Sequence, residues 1–153
     1  MSLVNSNSLL QNAMDNGYAV PAFNANCLEI IPALIRAAEK ERAPLILQIS
    51  KRFLTFFTAE EIASLSKFLA EKTDIPVCLH LDHGNTYELA SQCLNSGFTS
   101  VMYDGSLLPF EENIKNTLQV VSAAHLHNAH AEGELGKVLF SEQTEKSFEE
   151  DLT

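Results

Sequence analysis

Short apolar runs alternate with amphipathic stretches along most of the chain, and the spacing predicts an element for each. Residues 18–23 (YAVPAF) read as a strand, and residues 28–40 place Leu28, Ile31, Leu34, Ile35 and Ala38 at helical spacing. Pro32 falls near that helix's first turn, where a missing N–H is tolerated. Pro44 introduces a second buried-type strand over 45–49 (LILQI). Thr58, with Glu61 three residues on, forms a capping box for a helix over 59–71. VCLHL after Pro76 is a third strand, and the helix over 86–95 stops at Gly97 as a C-cap. Residues 99–103 (TSVMY) make a fourth strand. Residues 109–124 make a helix with Phe110, Ile114, Leu118 and Val121 in register. Residues 128–132 suggest a weak fifth strand, and a helix over 8–16 opens the chain and ends at Gly17.

The order is helix, then strand and helix in alternation, with short connections. Such alternation implies a parallel sheet with right-handed crossovers. Two architectures fit, a doubly wound open sheet and part of a (β/α)8 barrel. A complete barrel needs roughly 250 residues. A chain of 153 residues with about five strands cannot close one alone.

Each apolar strand ends in a polar or ionisable residue. Asn24 follows the first and Ser50 the second. Asp82-His83-Gly84 follows the third, Asp104-Gly105 the fourth, and Glu132 and Glu134 flank the end of the fifth. In parallel α/β folds the carboxyl ends of the strands build the site, so these groups would face one rim. Each has a bland alternative. Asn24 fits a helix N-cap, Ser50 a turn start, and Asp104 before Gly105 a turn pair. Asp82-His83 is more pointed, because it sets a proton-transfer group beside a metal ligand or second base. His80, two residues before Asp82, reads as a buried, hydrogen-bonded histidine. His125, His127 and His130 straddle a helix end, where histidine interacts well with the helix dipole without ligating a metal. Phe53, Phe56 and Phe57 read as packing. Lys51 and Arg52 fit a solvated loop or a contact to an anionic substrate. No Walker or G-x-G-x-x-G loop occurs.

Charge narrows the partners. Ten Lys+Arg stand against 20 Asp+Glu, a net charge of -10, which disfavours a nucleic-acid backbone or an anionic membrane surface. No apolar run approaches a membrane span, and the first residues lack the pattern of a signal peptide. Cys27, Cys78 and Cys93 are odd in number and form no C-x-x-C pair, which fits free thiols in the cytoplasm. Residues 132–153 hold seven acidic residues and two lysines, half of the total charge. The expected organisation is therefore an amino-terminal barrel portion over 1–136 and an acidic loop or tail over 137–153.

At the strand ends the chain resembles the class II, metal-dependent fructose-bisphosphate aldolases and their tagatose-bisphosphate relatives. The matching words are YAVPAFN, LEIIPALIRAAEKERAPLILQIS, PVCLHLDHG and GFTSVMYDGSLLPFEENI, with AEGELG a looser fifth. The resemblance implies a (β/α)8 barrel acting on phosphorylated ketoses, usually as a homo-oligomer. It implies His83 as a ligand of a catalytic Zn2+, and Asp82 as the acid/base group for the substrate hydroxyl. Asp104 and Glu134 match carboxylates of an alternate metal position, and Asn24 and Ser50 match positions that contact the phosphorylated substrate. The implied reaction is reversible aldol cleavage of fructose 1,6-bisphosphate, with HLDHG leaning towards the fructose enzymes.

The family's two further zinc histidines, its glycine-rich phosphate loop and its last strands lie beyond the matched region. None of His125, His127 and His130 matches a family ligand, and KVLFSEQTEKSFEEDLT lacks the glycines of the family's mobile loop. The chain reads as the amino-terminal half of such an enzyme, completed by a carboxy-terminal half. The contrasting expectation is a catalytically inactive half-barrel that works by covering its open edge with a partner.

Overall fold

The computed structural model describes residues 3–136, so the acidic segment over 137–153 lies outside the described residues. The elements run α1 (Ser6–Asn16), β1 (Ala22–Asn24), α2 (Ile30–Glu41), β2 (Leu45–Ser50), a 3-10 turn (Phe53–Thr55), α3 (Ala59–Ala70), β3 (Val77–Gly84), α4 (Tyr87–Ser96), β4 (Ser100–Tyr103), α5 (Phe110–Leu126) and β5 (His130–Gly133). All five strands pair in parallel, in the order β1-β2-β3-β4-β5. A doubly wound sheet reverses its strand order at a switch point, and this one does not. The arrangement is four consecutive βα units and a fifth strand of a (β/α)8-type barrel, not closed, with β1 and β5 at the edges of the described sheet.

Local chemistry sets the element ends. The Thr58 hydroxyl accepts from Glu61 N while the Glu61 carboxylate accepts from Thr58 N, the capping box expected for α3. Gly97, at φ 102°, closes α4 as expected. β1 starts later than expected, at Ala22, because Pro21 has no N–H to give the ladder. The first strand therefore contains Asn24 as its last residue, and the N-cap position of α2 falls at Glu29 with no side-chain capping bond, which removes the N-cap reading of Asn24. β5 also starts later, at His130, because Asn128 takes a left-handed turn (φ 53°) after α5.

Strand alternation divides the sheet into two faces. Leu45, Leu47 and Ile49, then Val77, Leu79 and Leu81, then Val101 and Tyr103, point to the helices and form the buried core with Ile31, Ile35, Ile62 and Val120. The intervening positions carry Gln48 and Ser50, His80 and Asp82, Ser100, and His130 and Glu132. That second face is the barrel's interior side. The start of α1 closes its floor. Val4 N donates to Val77 O, Asn5 Nδ2 to Asn128 O, and Ser6 Oγ to Ser100 Oγ, all at the amino-terminal ends of the strands.

Candidate metal centre and acid–base site

The site is built where β3 breaks its own register. Leu81 pairs with Val101 and Gly84 with Tyr103, so β3 spends one residue more than β4 over the same distance. The extra residue is a bulge, and His83 in it adopts φ 53°. In a regular strand Asp82 and His83 would point to opposite faces. The bulge breaks that alternation, and Gly84 makes it possible. A Cβ on Gly84 would stand 2.9 Å from Met102 O and 2.6 Å from Leu81 Cδ2.

Asp82, in register with Ser50, is clamped by two amides. Asn24 Nδ2 donates to Asp82 Oδ2 at 2.7 Å and Gln48 Nε2 to Asp82 Oδ1 at 3.2 Å. Both oxygens are thus held as acceptors. Three strands contribute to this clamp, and Gln48 was not foreseen. Its signal in the sequence is the lone amide within LILQIS, on the alternate face from three core residues.

On the other side His83 Nδ1 lies 2.9 Å from Asp104 Oδ2 and 3.2 Å from Glu134 Oε2. One imidazole N–H cannot serve both carboxylates well, and Glu134 Oε2 is buried without a hydrogen bond of good geometry. The three donor atoms lie within 4.8 Å of one another. One imidazole nitrogen and two carboxylate oxygens, one of them orphaned, suit a divalent cation of the zinc type. The hydrogen bond to Asp104 raises the His83 pKa, against the effect of burial and with help from the Asp82 charge. Burial works to raise the Asp104 carboxyl, but hydrogen bonds from Ser106 and His83 outweigh it and hold Asp104 below its usual value. Burial raises Glu132, and the Asp82 charge adds to this.

Second contacts fix these groups. Ser106 donates to Asp104 Oδ1 from both its backbone N (3.1 Å) and its hydroxyl (2.6 Å), so the turn reading of Asp104 holds alongside its place in the cluster. The buried Asn113 donates to Glu134 O at 2.8 Å, anchoring the cluster to the first turn of α5. Ser50 Oγ accepts from Phe53 N at 3.3 Å, which is a turn contact. Ser50 also lines a cavity of about 370 Å³ with Asn26, Arg52, Phe53 and Phe56. Phe53 is buried and meets Phe57 edge to face, while Phe56 is exposed. His130 sits in β5 against Ser6, and neither His125 nor His127 joins the three-donor cluster.

A parallel α/β sheet of the barrel type, whose strand ends gather a clamped carboxylate and a His-Asp-Glu donor set able to hold a divalent cation, defines the class of protein. Residues 4–153 match the family described as fructose-bisphosphate aldolase class-II. The chain is 43% identical over 143 residues to the probable fructose-bisphosphate aldolase of Bacillus subtilis, covering 90% of this chain and 50% of that one. It is 43% identical over 141 residues to the fructose-bisphosphate aldolase of Streptococcus pneumoniae, covering 90% and 48%. The crystal structure of the YdjI aldolase from Escherichia coli superposes with a TM-score of 0.82 at 30% identity, covering 88% of this chain and 51% of that one. The chain belongs to the class II fructose-bisphosphate aldolase family, and it spans about half the length of the curated relatives it matches.

Proposed function

We propose that this chain is the amino-terminal half of a class II aldolase that reversibly cleaves fructose 1,6-bisphosphate to dihydroxyacetone phosphate and glyceraldehyde 3-phosphate. The observation that carries the reading is the Asp82 clamp standing beside the His83–Asp104–Glu134 donor set. A Zn2+ bound by these donors would supply Lewis-acid polarisation of the ketose carbonyl. Asp82 takes the C4 hydroxyl proton during cleavage and returns it during condensation. Asn24 and Gln48 keep its carboxylate aimed while it does so. Asn24 and Ser50 contact the phosphorylated substrate, and Arg52 beside Ser50 offers a cation to a phosphate. At the catalytic position, which takes three protein ligands, His83 is the one this chain supplies, Asp104 and Glu134 serving the alternate position, and the two further nitrogen donors come from a carboxy-terminal half or from another copy in a homo-oligomer. Buried free thiols at Cys78 and Cys93 accord with a cytoplasmic setting. Tagatose 1,6-bisphosphate, which differs at one hydroxyl, is the companion substrate to assay.

The test is fructose 1,6-bisphosphate cleavage by the purified chain mixed with the carboxy-terminal half of the Bacillus subtilis relative, with added zinc and with a chelator. Chelator-sensitive cleavage is expected. A folded, zinc-loaded pair that cleaves neither epimer overturns the reading. One observation favours a second, non-catalytic role through association: Phe110, Ile114 and Leu118 are exposed along α5, with Leu107 exposed in the turn before it. Stable association with the carboxy-terminal half, without cleavage, would favour it.

A further inference from the structure

Beneath the strand-end site, on the barrel's interior face, a line of polar side chains crosses from α1 to β5 and back through β4 to β3. Ser6 Oγ stands 3.0 Å from His130 Nδ1 and 3.2 Å from Ser100 Oγ. Ser100 Oγ stands 2.8 Å from His80 Nδ1. On the far side of its ring, His80 Nε2 faces Glu132 Oε2 at 3.6 Å, a close approach rather than a hydrogen bond. Ser6, His80 and Ser100 are buried, and with His130 and Glu132 they line one cavity of about 520 Å³.

Each hydroxyl has one proton to give; the Cys78 thiol also touches Ser6 and Ser100, but sulfur is the weaker acceptor, so the protons lie along the line in one direction or the other. Run from His80 towards His130, it would place the proton on His80 Nδ1. The bare Nε2 lone pair would then face a carboxylate oxygen, which is repulsive. Run from His130 towards His80, every contact is a donor meeting an acceptor. His130 Nδ1–H donates to Ser6, Ser6 to Ser100, and Ser100 to His80 Nδ1. His80 Nε2–H is then left pointing at Glu132.

We propose that His80 is a positioning residue, locked as the Nε2–H tautomer by a one-way hydrogen-bond chain from His130 through Ser6 and Ser100, and that it orients Glu132 as a further carboxylate at the strand-end site. Burial supports the neutral ring that a fixed tautomer requires, by pushing the His80 pKa down to about 4. The chain also makes the first residue of α1 a working part of the interior. Ser6 connects the floor of the barrel to a side chain next to Asp82 and Glu134. The inference does not depend on the substrate or on bound metal.

The experiment is long-range 1H–15N NMR of the 15N-labelled full chain at neutral pH, which distinguishes protonated from bare ring nitrogens. Wild type is expected to show His80 protonated at Nε2 and His130 at Nδ1. Ser100→Ala should shift the His80 Nδ1 resonance and raise the share of the Nδ1–H form, because Glu132 alone then biases the ring, and Ser100→Thr, which keeps the hydroxyl, should restore the wild-type signature. Ser6→Ala should release His130 while His80 keeps its Nε2 proton, because Ser100 still donates to it. Glu132→Leu should move the His80 Nε2 resonance, as loss of its facing acceptor requires. A wild-type His80 protonated at Nδ1, or averaging between tautomers, overturns the proposal without any variant having to fold. So does a Ser6→Ala variant that disturbs His80 and spares His130, or a Glu132→Leu variant that leaves Nε2 unmoved.

Discussion

At the residue scale the site rests on two adjacent side chains with different duties. Asp82→Ala, in a complemented enzyme, should keep zinc and lose about 10²–10⁴-fold in turnover, the usual loss for a positioned acid–base group. Near-normal turnover, or zinc lost with it, would remove Asp82 from that role. His83→Ala should lose the metal itself, read as zinc content after dialysis. His83 also bears backbone strain at φ 53°, so His83→Gly should be more stable than His83→Ala by about 1 kcal/mol in urea unfolding. His80 makes a pH prediction. Its folded pKa is depressed to about 4 from 6.5, so the unfolded chain binds a proton first as the pH falls. The stability that its burial contributes is complete above the unfolded value and is lost on acidification through that window, by roughly 2 kcal/mol at pH 5. His83, with its raised pKa, works in the opposite direction. The comparison that isolates His80 is therefore the loss between pH 7 and pH 5 in wild type against His80→Gln. Equal losses in the two would rule the effect out.

At the element scale the β3 bulge and the turn after β4 are the features that cannot be redrawn. Gly105 sits where a Cβ would run into the Asn113 amide and lie 2.9 Å from Tyr103 Cε1. Asn113 is the residue that holds Glu134 through its backbone oxygen. Gly105→Ala should therefore cost about 1–3 kcal/mol and weaken divalent-metal affinity as well, because the intrusion displaces the anchor of a ligand. Calorimetric zinc titration would show it, and unchanged affinity in a destabilised variant would separate packing from positioning. The spacing of apolar positions foretold each helix and strand because burial on one face writes its period into the sequence. It did not foretell where β1 and β5 begin. Those starts depend on a proline's missing donor and on a left-handed Asn128, neither of which alters hydrophobic period.

At the scale of the whole molecule the sheet has, among the described residues, two unpaired edges, β1 and β5, and an exposed apolar line runs along α5. Phe110, Ile114 and Leu118 recur at four-residue intervals on one side of that helix, the pattern of a face awaiting a neighbour. In a barrel the next βα unit lies there. Charge at these positions should block assembly while leaving the half-barrel folded. Phe110→Glu with Leu118→Glu is expected to abolish co-purification with the carboxy-terminal half and to leave the circular dichroism of the chain unchanged. Retained association would place the contact elsewhere.

The sequence by itself determined the alternation of elements, the parallel sheet and the residues gathered at its carboxyl ends. These follow from local period and from the rule that successive strands of such folds share a direction. It also marked His80 as a buried, hydrogen-bonded histidine, since a lone polar residue between core leucines must find a partner. Tertiary structure alone decided that Asp82 and His83 both serve one rim, because that requires an extra residue in β3 relative to its neighbour, and register is a property of two strands. It alone supplied Gln48 and Asn113, whose partners lie on β3 and just after β5. It alone joined Ser6 to Ser100, 94 residues apart, because a contact across the barrel floor leaves no periodic trace in the chain.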